Sequence, residues 1–163
     1  DKSLYASNNY TSCFGVKKGT YYVAVKNSDK YYGLKVTFIS VKENSGTSKS
    51  KAKLISKGST KKGVITANQK AGTGEWYKFV VKKTQKVTLK ISTKLGGYSG
   101  GIKFAVYKKG DRYPFGSRNA YDTASGEIQP YTFGKGEKLA AGTYYIKVEK
   151  YSDGNGYYSI KWK

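Results

Sequence analysis

The chain has 163 residues, enough for one domain of ordinary sandwich size with a short surplus, and its 37% hydrophobic content is offset by a 15% share of large aromatics. A net charge of +21 predicts attraction to polyanions, but with Arg112 and Arg118 as its only arginines the chain lacks the guanidinium forks of sequence-specific DNA readers. The absence of histidine and the single cysteine, Cys13, exclude an internal disulfide, a thiolate zinc cluster and Ser-His or Cys-His nucleophile systems, and make Cys13 a small core residue.

In chain order, residues 1–15 offer Leu4, Tyr5, Tyr10 and Phe14 as anchors of one irregular strand. After a turn at Lys17-Lys18-Gly19 come two strands, Thr20–Lys26 and Tyr32–Ser40. Tyr21, Val23 and Val25 share one face of the first, and Leu34, Val36 and Phe38 form the core face of the second. Val41–Lys53 has no apolar period and reads as a linker, with a domain boundary near Glu43–Ser50. A complete unit follows, through Ala52–Ile55 and Gly63–Ile65 to Glu75–Val81, in which Tyr77, Phe79 and Val81 point inward. Val87, Leu89 and Ile91, then Ile102, Phe104 and Val106, supply two more core faces on either side of a glycine-rich loop at 96–101. Lys108–Glu127 reads as a long loop and Ile128–Phe133 as a strand. The last two runs, Tyr144-Ile146-Val148 and Tyr158-Ile160-Trp162, alternate about a turn cluster at Ser152–Gly156, which predicts a β-hairpin. No segment has helical periodicity and no apolar run approaches a membrane span.

That closing stretch has a copy near the start. Gly19–Val25 matches Gly142–Val148, Tyr31–Val36 matches Tyr157–Trp162, and Ser28-Asp29 matches Ser152-Asp153. The predicted fold is therefore all-β: a jelly-roll-like antiparallel β-sandwich over residues 43–163, with residues 1–42 as the closing strands of a preceding repeat. About three strands are too few to bury a core. Residues 1–42 are thus expected to pack onto the sandwich or to complete a unit of another chain as a strand-exchanged dimer. Opening at Asp1, with neither methionine nor a signal peptide, the chain reads as an excised piece.

The acidic residues are scattered singly. A glycosidase pair would have to come from Asp111, Asp122 and Glu127, which read instead as solvated loop charges. The glycine-rich loop lacks the lysine and helix start of a phosphate loop. The sequence therefore reads as non-enzymatic. The tyrosines are more informative, because the final alternation turns Tyr145 and Lys147 outward, Tyr145 matching Tyr22 in the copy. Together with Tyr113, Tyr121, Tyr131 and Tyr157 they are the candidate ligand-binding residues. Such rings can stack on sugars or on proline-rich protein while lysine meets anionic groups. The alternative is that a two-layer sandwich uses tyrosine as an amphipathic cover.

A family-like order of motifs runs through the second part of the chain. It comprises Ala52 and Leu54, Gly63-Val64-Ile65, Glu75-Trp76-Tyr77-Lys78-Phe79, Val87-Thr88-Leu89, Val106-Tyr107, and Ala141–Ile146 with Gly156-Tyr157-Tyr158-Ser159. From about Ser48 to Lys163 the chain thereby resembles the bacterial pre-peptidase C-terminal (PPC) domain, the family that includes the collagen-binding domains of clostridial collagenases. The resemblance implies a sandwich appended to secreted or surface proteins that binds matrix or polymer without catalysis. Some members bind calcium, and the corresponding positions here are Glu43, Asn44 and Glu75, with Thr73-Gly74-Glu75 in place of an Asp-x-Asp. Calcium takes about six to eight oxygens, several from carboxylates, so no cofactor is expected. The implied role is a non-catalytic binding, adhesion or spacer module of a secreted or cell-surface bacterial protein. Its partner would be an extracellular matrix protein, a polysaccharide or an anionic cell-wall polymer. The alternatives are a carbohydrate-binding module using exposed tyrosines and a nonspecific polyanion binder.

Overall fold

The computed structural model describes residues 11–26, 31–96, 100–121 and 129–163. Among them are no helix and nine strands: β1 (Lys53–Leu54), β2 (Thr60–Ile65), β3 (Gly74–Val81), β4 (Gln85–Gly96), β5 (Gly101–Lys108), β6 (Gly116–Tyr121), β7 (Gln129–Leu139), β8 (Gly142–Tyr151) and β9 (Asn155–Trp162). They form a five-stranded sheet, β1-β3-β8-β5-β6, and a four-stranded sheet, β2-β9-β4-β7. Every pairing is antiparallel except the short parallel contact of β1 with β3. The expected all-β antiparallel sandwich is what forms, and its cause is period-two burial. Tyr77, Phe79, Val81, Ile102, Phe104 and Val106 face Val87, Leu89, Ile91 and Leu95 across one continuous core. Each large apolar side chain buried this way contributes about 1.5–3 kcal/mol. Aromatic rings occupy the centre: Phe79 lies 5.4 Å from Tyr144 and 5.2 Å from Trp162, and Tyr158 meets Phe104 edge-on at 5.9 Å. The Trp162 indole N–H donates to the Ile55 carbonyl at 2.8 Å, so its polar handle is satisfied inside.

The closing stretch is not the hairpin that its alternation predicts. β8 lies between β3 and β5 in one sheet, and β9 lies between β2 and β4 in the other. Tyr144, Ile146, Val148, Tyr158, Ile160 and Trp162 are all buried, as expected, but the two rows meet across the core from opposite sheets. Alternation reports which face is apolar and is silent about which sheet the strand joins. The crossing turn uses positive φ at Ser152 (50°) and Gly156 (130°), conformations that only a few residue types adopt without strain. Gly63 on β2 makes room for the arriving β9: a Cβ there would stand 2.3 Å from the Tyr158 hydroxyl oxygen.

The early copy of this stretch fares differently. Residues 16–26 and 31–40 are exposed and without strand structure, correcting the strands expected at Thr20–Lys26 and Tyr32–Ser40. Tyr22 is 91% exposed and Phe38 77%. The physical reason is a shortage of neighbours, since β8 and β9 need β3, β5, β2 and β4 on their flanks and already occupy those places. The copied turn at Ser28-Asp29, and Leu4, Tyr5 and Tyr10, lie outside the described residues. Residues 12–15 do pack on the sandwich, through a side-chain clasp instead of a strand. The Gly15 N–H donates to the fully buried Asn155 Oδ1 at 2.8 Å, and Asn155 Nδ2 donates to the Gly96 carbonyl at 2.9 Å. The Ala67 N–H donates to the Gly15 carbonyl at 2.8 Å, while Cys13 is half-buried.

Two further expectations change. Part of the predicted linker is tied to β3, because Gly46 and Trp76 exchange backbone hydrogen bonds of 2.9 and 2.8 Å. The long loop at Lys108–Glu127 contains the edge strand β6, whose sequence GSRNAY has no apolar alternation to announce it and which, among the described strands, pairs with β5 alone. Hydrogen exchange checks the asymmetry between the two copies. Amides of Thr143–Val148 and Tyr157–Trp162 are expected to be protected at least ~100-fold more than those of Thr20–Val25 and Tyr31–Val36. Equal protection would contradict it.

Candidate functional site

On β3, β5 and β8 the residues between the buried ones face out from the five-stranded sheet. Register aligns Trp76 with Lys147 and Ala105, and Lys78 with Tyr145 and Tyr107. Ala105 is 1% exposed although its position faces outward, so the larger side chains around it form a layer over the sheet. The Trp76 and Tyr107 rings are 5.5 Å apart at a 40° tilt. Lys49, from the segment that Gly46 ties to β3, reaches over both tyrosines, its Nζ 5.1 Å from the Tyr107 ring and 5.3 Å from the Tyr145 ring. It is anchored there by donating to the Asp111 carbonyl at 2.8 Å.

Lys147 mirrors this arrangement on Trp76. Its Nζ sits 5.9 Å from a Trp76 ring centroid, donates to the Gly72 carbonyl at 3.0 Å and is paired with Glu149. Its stem lies so close over Gly74 that a Cβ there would stand 2.5 Å from Lys147 Cε. Glu149 also meets Lys103 at 3.7 Å. The result is a platform of three half-buried aromatic rings with a cation over each. Burial raises the Tyr107 hydroxyl above its ordinary value against the pull of Lys147, with Glu149 adding to the rise.

Beside Trp76 an open cleft of about 750 Å³ is lined by Glu43, Ser45, Gln69, Thr73, Glu75 and Lys147, among others. Glu75 is 8% exposed because the alternation of β3 sends it inward with Tyr77 and Phe79. The Tyr158 hydroxyl donates to Glu75 Oε2, and the Tyr77 hydroxyl lies 2.8 Å from that of Tyr158. Burial, reinforced by hydrogen bonding to Glu43 and its charge, pushes the Glu75 carboxyl up to about 8, against opposing hydrogen bonds from Tyr158 and Ser45. Burial, with Glu75 close by, also raises Tyr77 and Tyr158.

These residues do not fit calcium. Calcium takes several carboxylate oxygens, whereas Glu43 and Glu75 are the two carboxyls that line this cleft, and Lys49 and Lys147 line it as well. Among the described residues no group of three acidic, cysteine or histidine side chains could hold a metal ion. The Glu43–Glu75 contact is also closer than the ~5 Å or more that separates glycosidase carboxyls.

Of the residues expected from sequence, Tyr145 and Lys147 belong to the platform, and Glu43 and Glu75 touch. Asn44 is exposed and outside the cleft lining. Tyr113 is 71% exposed on the β5–β6 connection, with the Arg112 guanidinium 5.6 Å from its ring. Tyr157 faces out from the opposite sheet, beside Lys94 and Val64. Tyr121 sits on β6 and Tyr131 on β7, with side chains outside the described set. Asp111 is exposed, while Asp122 and Glu127 lie outside the described residues. Sequence reasoning missed Trp76, Tyr107 and Lys49. Trp76 was findable, since it alternates with the inward Tyr77. Lys49 was not, because its place depends on a tertiary contact.

No family model matches the chain, and no curated protein matches it. Solved structures with similar folds include the pre-peptidase C-terminal domain of a collagenase from Bacillus anthracis, 20% identical over 69% of this chain and 94% of that one, TM-score 0.49. Another is PliG of Aeromonas hydrophila, a periplasmic inhibitor of g-type lysozyme, 15% identical over 69% and 99%, TM-score 0.34. A third is the C-terminal CBM6 of the laminarinase LamC from Zobellia galactanivorans, 14% identical over 54% and 73%, TM-score 0.33. At these identities the likeness is one of fold.

The Glu75 proton makes stability depend on pH. The folded value of about 8 lies above the ordinary 4.5, so between them the folded chain binds a proton that the unfolded chain does not. That stabilisation is complete below the ordinary value and is lost as pH rises through about 8. Thermal midpoints are expected to fall by several degrees between about pH 5 and 8.5, and Glu75→Gln should flatten the fall. Identical profiles for the two proteins would contradict the assignment.

Proposed function

We propose that the chain is a non-catalytic binding module of a secreted or cell-surface bacterial protein that holds an extended polymer on the outer face of its five-stranded sheet. The observation that carries this reading is the platform of Trp76, Tyr107 and Tyr145 with Lys49 and Lys147 above the rings. Flat aromatic faces on a rigid sheet stack against the C–H faces of sugars or of proline at little conformational cost. The half-buried lysines keep positive charge beside the rings, where it favours acidic or carbonyl groups of the polymer. The cleft beside Trp76 supports the carbohydrate form of this reading, because Ser45, Gln69, Thr73 and Lys147 offer hydrogen bonds to hydroxyls. We further propose that residues 1–42 close a preceding PPC-like unit where one is present, since their described tyrosines and valines are exposed and lack the flanking strands that β8 and β9 have.

Retention of the purified chain on collagen, insoluble neutral polysaccharides and peptidoglycan tests the proposal. Salt-resistant retention on one of these is expected to weaken at least ~10-fold in the triple variant Trp76→Ala, Tyr107→Ala, Tyr145→Ala, since buried contact aromatics dominate such interfaces. Tyr113→Ala, away from the platform, is expected to change it less than ~2-fold. Retention on collagen alone would identify a protein-binding form, and retention on a neutral glycan a carbohydrate-binding one. Unchanged retention in the triple variant would refute the platform as the site.

A further inference from the structure

The outer face of the four-stranded sheet has a different chemistry. Val87, Leu89, Ile91, Thr93 and Leu95 are buried, so β4 turns Lys86, Thr88, Lys90, Ser92 and Lys94 outward. Register sets them beside their neighbours in rows: Thr60, Lys161 and Lys90; then Lys62, Ser159 and Ser92; then Val64, Tyr157 and Lys94. Lys86 stands opposite Lys138 on β7. Two of these alignments, Lys90 with Lys161 and Lys86 with Lys138, put like charges directly across a strand pair, which destabilises a sheet. The described ion pairs, Lys103 and Lys147 with Glu149, are on the other sheet. Among the described residues nothing neutralises this face. Glu137, paired in register with Val87, is the one acidic residue in the sequence of its strands.

We infer that this face is a binding track for a linear sugar polymer carrying sulfate or phosphate groups, held by Lys62, Lys86, Lys90, Lys94, Lys138 and Lys161. Along β4 the lysines recur every fourth residue, about 13–14 Å apart at the usual strand rise, with Lys161 and Lys62 filling the adjacent strands. The positive charge therefore runs along one axis and matches an extended chain better than a single small anion. Ammonium groups meet tetrahedral oxyanions as point charges, and the hydroxyls of Thr60, Thr88, Ser92 and Ser159 add donors to the same oxygens. Single-stranded nucleic acid would call for a row of stacking rings, and these rows contain only Tyr157. A bilayer would call for apolar side chains able to insert, and the one aliphatic residue on the rows, Val64, is half-buried. The track lies on the opposite face of the sandwich from the aromatic platform, and the two stand or fall separately.

Heparin fragments are a suitable probe, measured with the whole chain across a salt series. Binding is expected at low salt with a steep fall as salt rises. The quadruple variant Lys62→Ser, Lys90→Ser, Lys94→Ser, Lys161→Ser should bind at least ~10-fold more weakly near physiological salt and flatten the log–log slope by roughly 3. A matched quartet from the exposed ends of other elements, Lys53→Ser, Lys82→Ser, Lys83→Ser, Lys109→Ser, removes the same charge and should change affinity less than ~2-fold. Equal losses in the two quartets would overturn the proposal, because net charge alone would then be responsible. Tighter binding of a single-stranded oligonucleotide or of phosphatidylserine vesicles than of heparin would overturn the assigned partner. Relief of the Lys90–Lys161 repulsion should leave the first quartet with a thermal midpoint no lower than the parent chain. If it fails to fold, Lys90→Glu alone, which turns that pair attractive, is expected to weaken heparin binding severalfold, and an unchanged affinity would refute the track.

Discussion

Between Tyr151 and Asn155 the chain leaves one sheet for the other, and this crossing brings Tyr144, Ile146 and Val148 face to face with Tyr158, Ile160 and Trp162 across the core. β8 is the middle strand of its sheet, and β9 is an inner strand of the other. Each therefore makes two ladders, and β2, β3, β4 and β5 all depend on them for pairing. The same stretch closes the end of the sandwich, where Asn155 receives the Gly15 N–H and holds the Gly96 carbonyl. A buried amide with its hydrogen bonds made is stable, whereas the same group stripped of partners would cost about 1–3 kcal/mol. The strand crossing and the clasp are thus one device, and its failure would separate the sheets.

A chain with a charge of +21 must place its lysines somewhere, and the two outer faces solve this differently. On the five-stranded sheet Lys49 and Lys147 lie over aromatic rings and donate to carbonyls, and Glu149 draws in Lys103 as well. Those cations are held in place, so the platform presents rings whose surroundings are ordered before any ligand arrives. On the four-stranded sheet the lysines meet one another across β4, β9 and β7 without a described counter-charge. Self-repulsion of that kind opposes compaction, and the aromatic core carries the burden of offsetting it.

Period-two alternation made most of the core legible: Tyr77, Phe79, Val81, Ile102, Phe104, Val106 and the closing rows are buried as the pattern requires. What alternation cannot encode is partnership. Tyr144–Val148 and Tyr158–Trp162 satisfy the pattern equally well as a hairpin within one sheet or as strands in two, so the crossing was invisible. The duplicated runs at Thr20–Val25 and Tyr31–Val36 carry the same local signal as β8 and β9 yet stay exposed, because strand formation needs flanking strands and theirs are taken. β6 escaped notice for the opposite reason, since an edge strand with Ala120 as its one described core residue needs little apolar pattern. In the site, Tyr145 and Lys147 follow from facing alone. Glu75 also follows, in retrospect, as the inward position before Tyr77, but its contact with Glu43 joins segments with no common periodicity.

That contact links the candidate site to the fold. Trp76 is the platform ring that packs on Tyr107 and, through its backbone, the residue that pins Gly46. Its neighbour Glu75 turns the other way, into the polar cluster with Tyr158 and Tyr77, and meets Glu43 at the mouth of the cleft. One dipeptide of β3 therefore secures the incoming 43–52 segment at two points, through the Trp76 backbone and the Glu75 side chain, and that segment delivers Lys49 to Tyr107 and Tyr145. A binding surface built from a loop would ordinarily lose affinity to the ordering of that loop. Here the ordering is accomplished during folding, by a backbone bridge and a proton-bearing carboxyl pair, so the cation arrives already positioned over its rings.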